Sequence, residues 1–244
     1  MARRFERSTV LIISHHQDWL EELARQRQAI ERGLLLSQAE IDALVETWLP
    51  RIAPAVKEEE SFLLVDDQGR PLSPACHAPR WFCHLVALRH RAVHVQLYWQ
   101  SPKLGPTLVC QVRSWDKSDF PGHIDLSVGG HVVGDRAPRD AALIEMDEEL
   151  GLSVTDLTEP KLHYLGGYDC LNQVSADSFY DREWRDVYCA GIKSLQAIAF
   201  KDEEVVGIYL CPASHARDLL AQEVIPVAHG LAKSLPLCLE YLGV

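Results

Sequence analysis

GGHVVGDRAPRDAALIEMDEELGL, residues 129–152, opens on a glycine pair, meets a proline at position 138 and stops on a glycine at position 151. Proline suits the first turn of a helix and glycine the position just past its end, so the spacing predicts a helix over Pro138–Leu150. On that helix Glu145, Glu148 and Glu149 stand at i, i+3 and i+4 and share one face. Like charges at this spacing repel by a few tenths of a kcal/mol each in water. A cation between them reverses the sign. One or two carboxylates plus the phosphates of a substrate are the usual way to hold Mg²⁺. A bare acidic face is ordinarily just solvated; the glycine loop before it and the glycine stop after it favour the metal.

The rest of the chain bounds what such a site serves. Its 244 residues, 47% hydrophobic and 24% charged, suit one α/β domain with an extension, or two small domains. A net charge of −11 excludes non-specific nucleic-acid binding and docking on anionic membranes. No apolar run approaches the roughly 20 residues of a membrane span. Partners are therefore small molecules, with local basic residues doing any phosphate recognition. The opening segment, MARRFERSTVLIISHH, is basic and then apolar but is followed by no small-residue cleavage site, so an uncleaved start is expected. Seven cysteines, an odd number without a CxxC pair, read as reduced cytoplasmic thiols.

Residues 1–58 read as a helical N-terminal extension. QDWLEELARQRQAIERGLL has apolar residues at helical spacing, and Ser37 with Glu40 forms a capping box that opens a second helix. The acidic run KEEE (57–60) reads as a solvated hinge to a domain over 59–244. There SFLLVDDQGRPL, RAVHVQLYW, LVCQVRSW, WRDVYCAGI and VVGIYLCP read as strands, with SPKLGPT as a loop. SHARDLLAQEV is expected to begin a C-terminal helix, capped by Ser214. Strands outnumber helices and mix with them, which fits an α+β class: a mixed sheet sandwiched between helices.

The stretch at 129–152 resembles the Nudix box, G-x5-E-x7-R-E-U-x-E-E-x-G-U with U aliphatic. Gly130, Glu145, Met146, Glu148, Glu149, Gly151 and Leu152 fall in register. Arg136 stands where the first Glu belongs and Ile144 where the Arg belongs. In the family that Arg orients a box Glu, so the resemblance implies that Ile144 removes a support rather than a ligand. Asp135 lies beside Arg136, on a loop able to shift by one residue.

The similarity extends over roughly 61–220. HRAVHV, QVRSWDKSDFPG and DLSVGGHV look like the branch that includes isopentenyl-diphosphate isomerase. This resemblance implies a metal site at His90, His131, Asp181 and Glu183, and diphosphate contacts from Arg113 and Lys117, with Gly129 and Gly130 lining the substrate loop. The isomerase itself needs a Cys two residues before the GHV histidine, and Gly129 occupies that slot. The resemblance thus implies a Nudix α/β/α sandwich and an Mg²⁺- or Mn²⁺-dependent hydrolase of a nucleotide-like or other diphosphate. The alternatives are a Nudix module that binds such a ligand without turnover and, less favoured, the isomerase. Segment 164–184 is read as a specificity loop, and the N-terminal helices as a homodimer interface or a lid.

Overall fold

The computed structural model describes residues 17–52, 60–117, 120–175, 179–201, 203–221 and 226–244. The opening segment MARRFERSTVLIISHH and the boundary expected at residue 58 lie outside the described residues. The chain forms two compact units: Met1–Arg91 with Val132–Arg136 and Tyr168–Arg185, and Ala92–His131 with Ala137–Gly167 and Asp186–Val244.

In the first unit, α1 (Gln17–Glu31) and α2 (Gln38–Trp48) are followed by β1 (Ser61–Leu63), β2 (His77–Pro79) and α3 (Arg80–Val86). The helical spacing buries Leu23 and Ile30 of α1 and Ile41 and Trp48 of α2 against Phe62, Leu64, Phe82 and Leu85. These helices thus share one core with residues 62–88, and their apolar faces are spent there. The capping box is present, with Glu40 N bonded to Ser37 Oγ and Ser37 N to Glu40 Oε2. Arg27 falls on the same stripe as Leu23 and Ile30. Buried, it donates from Nε to Leu85 O at 2.8 Å and lies over the Tyr180 ring at 4.1 Å, fastening α1 to α3. Gln38 does the same for α2, exchanging two hydrogen bonds with the backbone of His77 as a strand neighbour would.

The second unit holds most of a seven-stranded sheet of β3 (His90–Ser101), β4 (Gly105–Arg113), β5 (Ile124–Asp125), β6 (Val128–His131), β7 (His163–Ser175), β8 (Phe179–Ile192) and β9 (Val205–Pro212). The order is β5-β4-β3-β8-β7, with β6 beside β3 and β9 beside β4. The β3–β4, β3–β6 and β4–β9 pairs are antiparallel, and a parallel bridge joins Ile124 to Val227. Three helices complete the unit: α4 (Pro138–Leu150), α5 (Ala216–Ala221) and α6 (His229–Leu242).

The register shows how helices cover both faces. Val93 pairs with Gly130 and His94 with Gly129, and successive strand residues point to opposite faces. Glu145 of α4 lies against Gly130, whereas Ser234 of α6 bonds His94 Nδ1 at 2.8 Å. So α4 and α6 sandwich the sheet. Leu231, Leu235 and Leu239, one turn apart on α6, pack on Leu108, Cys110, Ile124 and Leu126.

Three expectations need correction. SPKLGPT is mostly strand, because β3 and β4 continue into a tight connection at 102–104. Ser214 lies inside a 3₁₀ turn, Ala213–His215, and the α-helix starts only at Ala216. Segment 164–184 is no loop: it supplies most of β7 and the start of β8. Alternation hid the start of the second strand, because Glu183 and Arg185, not apolar residues, are the buried positions there, ahead of the apolar run from Val187.

Candidate metal and diphosphate site

The box site is built within the second unit. Pro138 starts α4, and Gly151 ends it in the left-handed region at φ 66°. A Cβ at Gly151 would also press on Ala199 O, 2.8 Å away, so only glycine fits. Ala199 N bonds Leu150 O at 2.9 Å and Lys201 pairs with Asp147 at 2.6 Å, holding the C-terminal end of the helix. Gly130 explains the glycine pair: a Cβ there would sit inside the Glu145 carboxylate. The backbone of β6 and the head of Glu145 thus share space that no other residue would leave open. Glu148 is half-buried and Glu149 is only 5% exposed, so these acids do not form a solvated face.

Ile144 is 38% exposed, so its departure from the box leaves no hole in the core. Arg136 is exposed. Asp135 lies 2.8 Å from His77 Nε2 and is occupied there instead of standing in for the missing Glu. The two predicted phosphate contacts each have an acid: Arg113 Nη1 lies 3.3 Å from Asp125 Oδ2, and Lys117 is paired with Glu204. His131 closes β6, opposite Ala92, and a Cβ at Gly129 would meet Leu126 and His94 only at ordinary contact distance, so that position does not require glycine.

The other predicted donors meet within the first unit. After α3, Ala87 turns the chain in the left-handed region at φ 58° and places His90 beside His84, with ring centroids 4.9 Å apart and nearly perpendicular. Phe62 stacks on His90 at 4.7 Å. On β8, Asp181 and Glu183 alternate onto the same face, and Arg185 two residues on donates from Nε to Glu183 Oε2 at 2.6 Å. The ligand atoms of His84 and His90 lie within 4.8 Å of each other, as do those of Asp181 and Glu183. His90 Nε2 is 3.8 Å from Glu183 Oε1 and links the two pairs.

The tautomers follow from the backbone. His90 Nδ1 donates to Leu88 O at 2.9 Å, and His84 Nδ1 lies 3.0 Å from Tyr180 O and 3.2 Å from Asp181 Oδ1. A carbonyl only accepts, so each Nδ1 carries its proton and the neutral ring keeps its lone pair on Nε2, the form that ligates metals. Burial, reinforced by nearby His84, pushes the pKa of His90 down to about 3. Burial and then the charge of Glu183 raise that of Asp181. Two carboxylates crowded beside the neutral His90 imidazole suit a divalent cation, whose charge would relieve that crowding. His84 escaped the sequence reading. Its only local signal is a second His six residues before His90, on a stretch that reads as apolar helix.

No family model matches the chain. Nudix hydrolase 3 of Arabidopsis thaliana is 31% identical over 169 residues, which is 68% of this chain and 21% of that protein. An uncharacterized Nudix hydrolase of Pseudomonas aeruginosa is 31% identical over 105 residues, 43% of this chain and 58% of that protein. The chain therefore spans only part of the length of either relative. Among solved structures, DR0079 from Deinococcus radiodurans superposes with a TM-score of 0.54 at 22% identity, over 73% of this chain and 99% of that one, which speaks for the fold. The box in register on α4 and two curated relatives that carry the name support the Nudix superfamily for this chain.

Proposed function

We propose that the protein is an Mg²⁺- or Mn²⁺-dependent hydrolase that cleaves the diphosphate linkage of a nucleotide-like substrate in a reducing, cytoplasmic setting. The observation that carries this reading is the Glu145 carboxylate lodged against the Gly130 backbone, with Glu148 and Glu149 one turn further along the helix. That arrangement costs repulsion and desolvation, and a cation offsets both. Glu145, Glu148 and Glu149 would hold one metal. His84, His90, Asp181 and Glu183 would hold another, and the resemblance counts His131 with them. The metal, when bound, supplies Lewis acidity and water activated at neutral pH.

The chain's own residues do the rest. One of the three box Glu accepts the proton of the attacking water on a carboxylate oxygen left free of the metal. Arg113 has five N–H donors in a fixed fork, so it can keep Asp125 and still present others to a phosphoryl oxygen. Lys117, a point charge, shifts its contact from Glu204 toward the phosphate. The space beside Gly130 goes to the Glu145 carboxylate, so that glycine serves the metal site and not close approach of the substrate.

The second reading, a binding module without turnover, draws on Ile144, Arg136 and the two internal ion pairs of Arg113 and Lys117. Isomerase chemistry is disfavoured, since Gly129 brings no thiol. The test is a panel of diphosphates (nucleoside di- and triphosphates, nucleotide sugars, dinucleotides and isopentenyl diphosphate) incubated with Mg²⁺, with products identified by mass. Hydrolysis of at least one, abolished by excess chelator, is the expected result. Saturable binding without product would establish the module, and isomerised isopentenyl diphosphate the isomerase.

A further inference from the structure

On β8, Asp181 and Glu183 point to one face and Arg182, between them, to the other. There, wholly within the first unit, lies a cavity of about 340 Å³, within the range of small-molecule sites. Its floor is apolar, with Leu64 and Leu88 buried and Leu72 beside them. Its rim, the turn after α1, holds Leu34 and Leu35, which are 50% and 75% exposed.

Two guanidinium groups share this cavity. Arg89 is committed, donating from Nε and Nη2 to the two oxygens of Asp169 at 2.7 and 3.0 Å. Arg182 has no hydrogen bond or ion pair among the described residues, and the nearest charges are those of Arg89, Asp169 and Glu31. Among the described residues, none of the acids that line the cavity hydrogen-bonds Arg182. Asp66 is turned into its own loop, accepting from Gln68 N, Arg70 N and Arg70 Nε, while Glu31 and Asp67 are exposed at the edge. A half-buried guanidinium fork above an apolar floor lacks a planar oxyanion to complete it.

We propose that this cavity is a second ligand site, taking an amphipathic anion with a carboxylate or phosphate head on Arg182 and a short apolar chain over Leu64, Leu72 and Leu88. The rim leucines close over that chain and leave water only at the head. The site is independent of the diphosphate chemistry proposed for the box, because no box residue lines it.

The experiment is calorimetric titration of the full chain, in chelator so that metal-held phosphate is removed, with hexyl phosphate, heptanoate, inorganic phosphate and hexanol. One of the two amphipathic anions should bind about tenfold or more tighter than inorganic phosphate and hexanol, and the better of the two identifies the head. Arg182→Gln should weaken that binding about tenfold and leave hexanol unchanged. Leu35→Asp, at an exposed rim position that tolerates substitution, should weaken it about threefold and serves if Arg182→Gln does not fold. Equal binding of inorganic phosphate, no saturation by either anion at millimolar concentration, or unchanged affinity in either folded variant would overturn the proposal.

Discussion

Both units gather acidic groups, and they do so in opposite ways. In the second unit the three acids come from a single helix turn, and one glycine of the neighbouring strand makes room for Glu145. In the first, α3, the start of β3 and β8 each contribute part of the set, which is buried and cross-braced by Phe62, Arg185 and two backbone carbonyls. A set made from one helix turn can lose a charge without losing the fold. A set made from three segments is part of the core, and its charges hold it together. The difference teaches that two sets of acids, each proposed to take a cation, can sit at opposite ends of the trade between function and stability.

The largest expected effect comes from the braced set. Arg185→Gln strips Glu183 of its buried cation, and breaking such a pair costs about 3–5 kcal/mol. Denaturant unfolding should register that loss even in chelator; a loss below about 1 kcal/mol would show that solvent reaches Glu183 and that the two sets are alike. Glu148→Gln and Glu149→Gln, which keep side-chain size and helix propensity, should behave in the reverse manner. Turnover should fall about 100-fold or more, roughly 2.7 kcal/mol of barrier, with no loss of stability in the metal-free protein. Wild-type turnover in both would move the chemistry off the box.

Gly130→Ala should be milder. Its methyl displaces the Glu145 head, and a misplaced ligand typically costs about 10–100-fold in activity or affinity. Partial rescue by the added change Glu145→Asp, which shortens the side chain, would tie the loss to that contact and not to β6. The smallest effect belongs to Ile144→Arg. An exposed position should change stability by no more than about 0.5 kcal/mol, while turnover rises less than about tenfold if the guanidinium reaches Glu145 or Glu148. A large loss of turnover would show that the box has repacked around the aliphatic residue.

The same contrast governs what was legible in the sequence. The box, its helix limits and both box glycines are local features, written at fixed offsets, and α4 occupies Pro138–Leu150 as the spacing requires. The sandwich also followed from strand and helix patterns. The first unit's set is not local. His84 sits in an apolar helix, and β8 buries Glu183 and Arg185 where a strand normally buries aliphatics, so hydrophobic periodicity could not find it. The acids opposite Arg113 and Lys117 are separated from them by 12 and 87 residues, and the sequence offered no sign of either pairing. Nor did a composition change at residues 57–60 reveal that α1 and α2 share a core with residues 62–88.

The central claim is that both sets are cation sites, each made from its own unit. Its most direct test is Mn²⁺ binding, followed by electron paramagnetic resonance, to the wild type, Glu148→Gln and His84→Asn without substrate. The account predicts that each single change weakens part of the titration about tenfold or more while leaving the other part in place. A wild-type titration curve in Glu148→Gln would contradict it, leaving the three acids of α4 as ordinary helix charges.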